Sequence, residues 1–222
     1  MSEDIPGIKI FEGVNPTLTS PYSPFSLSFY QTRETLIDIE LYQKFLTNAI
    51  RQFRRTNVYR HYKSFLLSLG LDRSQLHSNI TDEMAELEMH HNILTIFDIA
   101  VILTEHTLNK YGYISSFDLI NMLRIEHTEH RVQLIMIDQT THQLFHNTNG
   151  EVFFHPDMCV GKWWEFLELY SDGITPDICK KVMNYINKAE ELGMSTDGEY
   201  SKLRQKIKDW SGFNEHIEHR YL

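Results

Sequence analysis

Twelve histidines in 222 residues ask for an explanation, because two groups of them stand at spacings that chemistry uses. Glu88-Met89-His90-His91 closes Ala85 to His91, a stretch that alternates apolar with polar and reads as a strand. His142-Gln143-Leu144-Phe145-His146 falls in a segment that reads as a short helix from about Thr140 to His146. Residues four apart on a helix share a face, so His142 and His146 are placed to grip one metal ion between them. Neighbours in a strand point to opposite sides, so His90 and His91 divide the labour: one completes a three-imidazole site and the other acts beside it. A neutral imidazole suits a general base near pH 7, since its reference pKa is about 6.5. The cofactor this predicts is one divalent metal ion. Three imidazoles favour zinc or nickel, whereas phosphate chemistry favours magnesium or manganese. His61, His77, His106, His127, His130, His216 and His219 have no partner at such a spacing and read as surface or packing residues. His155 before Pro156 reads as structural, Trp163 and Trp164 as core, and Cys159 as a buried thiol.

The elements that must position these groups are predicted to be mostly helical. Residues 1 to about 33 form an irregular arm holding Pro6, Pro16, Pro21 and Pro24. A helical region follows over 34–84. There Leu41, Phe45, Ala49 and Phe53 recur every fourth residue, and a second helix from about Val58 to Leu69 ends at Gly70. Thr95 with Asp98, and Ser115 with Asp118, are cap pairs that open helices to about Lys110 and His130. Val132 to Ile137 reads as a second strand, and Glu151 to His155 as a third stopped by Pro156. Lys162 to Leu169, Pro176 to Leu192 (opened by Thr175) and Glu199 to Trp210 complete the helices.

Composition bounds what the chain does. Hydrophobic residues make up 41% and charged residues 23%, which fits a soluble globular protein with a sizeable core. The longest apolar run, Ile93 to Thr104, is broken by Asp98 and falls short of the roughly 20 residues a membrane span needs, so no membrane partner is expected. No signal peptide is visible, and two cysteines, Cys159 and Cys179, exclude a disulfide scaffold and fit a reducing compartment. The net charge of −9 excludes a generic nucleic-acid coat. Yet Arg51, Arg54, Arg55, Arg60 and Lys63 fall in a window with no acid that carries +5, leaving −14 on the rest. That window is the candidate surface for DNA.

The order of an E-x-H-H strand, a second strand and an H-x3-H helix resembles the ββα-metal core of HNH endonucleases. The run from "LEMHH" through "HQLFH" to "FFHPDMCVGKWWEFLELY", Leu87 to Tyr170, is similar to HNH-like proteins of bacteriophages. The resemblance implies an α+β fold, mostly helical, with the core over 85–174, a two-helix insertion over 95–130, and C-terminal helices over 175–222. It implies His90, His142 and His146 as metal ligands, His91 as the general base that activates water, and Glu88 as the carboxylate that orients a catalytic imidazole. The position of the family's middle Asn, nine residues before the helical His, falls at Gln133. The two strands stand about forty residues apart, and the four-cysteine knuckle of many relatives is missing.

Two functions are weighed on these grounds. One is a metal-dependent HNH-type endonuclease hydrolysing DNA phosphodiester bonds in the host cytoplasm. The other is a catalytically silent protein of the same shape, serving a phage as a DNA-binding, virion-assembly or regulatory module. The intact histidine pairs favour the first; Gln133 and the acidic total favour the second.

Overall fold

Three caps that the sequence announces become three helix starts. The computed structural model describes residues 29–68, 70–147 and 153–193, apart from the side chains of residues 146, 147 and 157. Thr95 and Asp98 form a reciprocal capping box that opens α3 (Ile96–Tyr111), and Ser115 and Asp118 do the same for α4 (Ser116–Thr128). Thr175 accepts from the Ile178 N–H and Pro176 takes the first helical position of α7 (Pro176–Glu191). Ahead of these come α1 (Ile39–Arg54) and α2 (Asn57–Ser68), and between α4 and α7 lie α5 (Gln139–Asn147) and α6 (Trp163–Leu169). The strands are short: β1 (Tyr30–Thr32), β2 (Leu87–His91), β3 (Tyr113–Ser115) and β4 (Leu134–Asp138). The fold is α+β and mostly helical, with seven α-helices and two two-stranded antiparallel sheets among the described residues.

The β2–β4 ribbon is the frame for the histidines. It pairs Leu87 with Asp138, His90 with Ile135 and His91 with Leu134. All five residues of β4 are buried because both faces are covered. Leu134 and Met136 enter the main core, while Ile135 and Ile137 join Phe154 in a second, smaller cluster that Phe145 also covers. A strand sandwiched in this way reads as a continuous apolar run, which is why "LIMI" shows no alternation. α5 follows β4 without a loop, and Asp138 bridges the two by accepting from the Thr141 N–H at 3.0 Å.

α3 is the central helix. Ten of its residues are buried, and it packs against α1, α4 and the turn at 171–173. On α1 the buried face is Tyr42, Leu46, Ala49, Ile50 and Phe53, and Leu41 lies out in solvent. The row expected from Leu41 steps by four residues. A helix turns every 3.6, so such a row winds off the core face within two turns. Two further expectations change. Residues 153–155 form no strand, and the remainder of the expected strand, Glu151 and Val152, lies outside the described residues, as does the expected helix Glu199–Trp210. The arm is not irregular to its end, since β1 pairs with β3, Tyr30 opposite Ser115 and Thr32 opposite Tyr113.

Buried charges tie the helices together. Glu105 on α3 accepts from the Tyr42 hydroxyl and the Arg33 guanidinium, each at 3.0 Å. Glu126 on α4, fully buried, receives both Nε and Nη2 of Arg131 and the Tyr170 hydroxyl at 2.7 Å.

Candidate functional site

Strand alternation decides where the paired histidines go. His90 faces the small cluster, where its ring meets His142 at 5.1 Å between centroids, Phe145 at 4.3 Å and Phe154 at 5.5 Å. His142 in turn places Nδ1 against the Glu88 carboxylate. Glu88, His90 and His142, named from the sequence, are therefore brought together. The side chain of His146 lies outside the described residues. Among the described residues, no three His, Cys, Asp or Glu side chains are arranged to hold a metal ion. Of the expected three-imidazole set, His90 and His142 are described and adjacent, and the side chain of the third member, His146, is not.

His91 faces the opposite side, into the main core. Its Nε2 stands 2.9 Å from Nε2 of His127. The Leu123 carbonyl accepts from His127 Nδ1 at 2.7 Å, so the neutral His127 ring carries its proton on Nδ1 and offers a lone pair at Nε2. His91 then donates from Nε2. Burial holds His91 well below the usual histidine range, aided by the charge of Arg54 and the neighbouring imidazoles. Burial likewise pushes His127 down to about 4; the Leu123 hydrogen bond opposes the shift and the Arg54 charge adds to it. Both rings are neutral at pH 7. Sequence reasoning set His127 aside because no short spacing links it to His91. Its only local signal is its place in the last turn of α4.

Gln133 is a structural clamp. Its Oε1 accepts from the Ile93 N–H and the Asn92 amide, each at 3.3 Å, at the point where the chain leaves β2. The same Asn92 amide lies 2.8 Å from the Tyr185 hydroxyl and 3.2 Å from the Phe154 carbonyl, joining β2, the 153–159 segment and α7. Cys159 is half-buried and accepts from this amide as well. Trp163 is buried in the core as expected, and Trp164 is partly covered.

Between these groups and α2 opens a cleft of about 380 Å³. Its floor is Glu88 to His91 of β2, with His142 on one side and Thr95 and Ile96 on another. Arg54, Tyr59 and Lys63 form the facing wall, so two of the five cations of the basic window reach the same cleft as the histidines. Burial raises the Tyr59 hydroxyl pKa, with Arg54 opposing and Glu88 adding to the shift. Arg51, Arg55 and Arg60 are exposed elsewhere, Arg60 against the Asn57 side chain.

A profile of the bacteriophage G278-like virion proteins matches residues 22–212, spanning every element described above. The chain belongs to that family. Searches among curated proteins and among solved structures give no match. Membership in the G278-like virion family overturns the HNH resemblance and, with it, the endonuclease reading in which His91 serves as general base. The physical reason lies in the ribbon. The spacing that resembled a catalytic strand sends His91 into a buried neutral pair, and Gln133, at the family's Asn position, is spent on the Asn92–Ile93 backbone turn. Among the described residues, no helix is long and apolar enough to cross a membrane.

Proposed function

We propose that this chain is a structural component of a phage particle, acting through assembly contacts rather than through bond cleavage. The observation that carries this reading is the family match over residues 22–212. The use made of the polar interior supports it. Glu105, Glu126, Asp138 (through the Ser74 hydroxyl), Gln133 and the His91–His127 pair each join segments distant in sequence, so these polar groups are engaged in holding the fold. A protein that must keep its shape under packing load gains from such ties, because a buried charge or amide is satisfied in one arrangement only.

The test is compositional and genetic. Particles purified through a density gradient and washed in high salt are analysed by mass spectrometry, and a nonsense mutant of the gene is grown without suppression. The chain is expected in washed wild-type particles, and the mutant is expected to yield defective or incomplete ones. Absence of the chain from washed particles, together with normal mutant particles, would overturn the proposal.

A further inference from the structure

We propose that the cleft between α2 and β2 is a binding site for a phosphate ester, with Arg54 and Lys63 holding the phosphoryl group. The inference does not rest on the virion role and fails or stands separately from it. Four observations carry it. The stretch from Arg51 to Lys63 holds five cations and no acid, in a chain whose net charge is −9. Of those five, Arg54 and Lys63 line the cleft. Among the described residues no carboxylate is paired with Arg54, and the partner of Lys63, the exposed Glu86, stands 3.7 Å away, too loose and wet to hold it. The lining holds one carboxylate, Glu88, which is bonded to His142, so the two cations outnumber it.

The wall chemistry narrows the ligand. A guanidinium presents a planar fork of donors that matches two phosphate oxygens at once, and an ammonium beside it neutralises the second charge. Arg54 lines the cleft beside Tyr59, His90 and His91, so its charge faces whatever enters it. At about 380 Å³ the space exceeds a bare phosphate and falls in the range of small-molecule sites. Met89, Ile96 and the Tyr59 ring supply apolar and aromatic surface for the group the phosphate is attached to. A sugar–base unit meets that description, whether from a free nucleotide or from a nucleic-acid strand.

Isothermal titration of the full chain with inorganic phosphate, a mononucleotide and a short single-stranded oligodeoxynucleotide tests the proposal. Saturable binding of the mononucleotide or the oligonucleotide is expected. Arg54→Gln should weaken it about tenfold or more, since a charge-assisted contact is removed. Arg51→Gln removes the same charge from an exposed site outside the cleft and should change binding less than about twofold. Arg54 is itself exposed, so unchanged thermal melting of Arg54→Gln shows that the fold is intact. An oligonucleotide that binds far tighter than the mononucleotide, with a steep salt dependence, identifies a strand as the source; equal affinities identify a free nucleotide. No saturable binding of any probe, or equal losses in Arg51→Gln and Arg54→Gln, overturns the site.

Discussion

Acidification should destabilise this fold through one pair of rings. His91 and His127 are buried, share a 2.9 Å hydrogen bond, and both have pKa values below the ordinary histidine value, His127 at about 4. In the unfolded chain each returns to about 6.5, so between those values the unfolded state binds more protons. The stabilising contribution of neutrality is therefore complete above about pH 6.5 and declines as pH falls toward 4. For His127 alone, linkage gives a loss of about 2 kcal/mol between about pH 7.5 and about pH 5, and His91 adds in the same direction. In a chain of this size that corresponds to a drop in melting temperature of about 4–8 °C. Most carboxylates titrate below this window, which isolates the histidine effect. The assay is calorimetric melting across the window for wild type and for His91→Gln/His127→Gln, with imidazole nitrogen shifts by NMR reading the tautomer of His127. The double variant should be less stable at pH 7.5 yet show a much flatter profile. A wild-type melting temperature that does not move, or a double variant that falls as steeply, would refute the reasoning, as would a His127 protonated at Nε2 when neutral.

Other substitutions test other ties. Arg131→Ala strips the bidentate partner from Glu126 and leaves a fully buried carboxylate with the Tyr170 hydroxyl; a loss of about 3–5 kcal/mol in denaturant unfolding is expected, partly restored by adding Glu126→Gln. Gln133→Leu removes the acceptor for Ile93 N–H and the Asn92 amide and should cost about 1–3 kcal/mol. Gly161→Ala should be worse, at about 3 kcal/mol or more: the residue has φ +109°, and a Cβ there meets the Val132 carbonyl oxygen at 1.8 Å, so the Val160–Leu134 bridge must give way. Asp138→Ala loses the acceptor for Thr141 N–H and for the Ser74 hydroxyl at 3.0 Å and should cost about 1–2 kcal/mol, with the amides of α5 exchanging faster.

What was legible in the sequence was local. Thr95 with Asp98, Ser115 with Asp118, and Thr175 with Pro176 name their own helices because each cap is satisfied within three residues. Gly70 was readable for the same reason, standing at φ +93° just after α2. The β1–β3 pairing was not, since strands of three residues, more than eighty apart in sequence, carry no periodicity to compare. His127 was hidden by the same kind of distance, 36 residues from His91, and Arg33 and Tyr42 are likewise joined to Glu105 from far away. Contacts of this kind are set by how helices pack, which no local window reports.

The site shows the difference between placing a residue and assigning it a task. Alternation along β2 required His90 and His91 to diverge, and they do; the helix after β4 was expected to approach His90, and His142 lies 5.1 Å from it. Those inferences concern backbone direction, which spacing constrains tightly. The step to catalysis needed something spacing does not contain, namely what stands on the far side of each ring. For His91 it is the buried His127, whose Nε2 accepts the His91 Nε2–H hydrogen bond and so occupies the nitrogen a general base would use; for Gln133 it is the Ile93 backbone. The same strand-strand-helix order thus serves as a frame, and Arg54 and Lys63, in the wall of its cleft, are the cations that the proposed phosphate ester would meet.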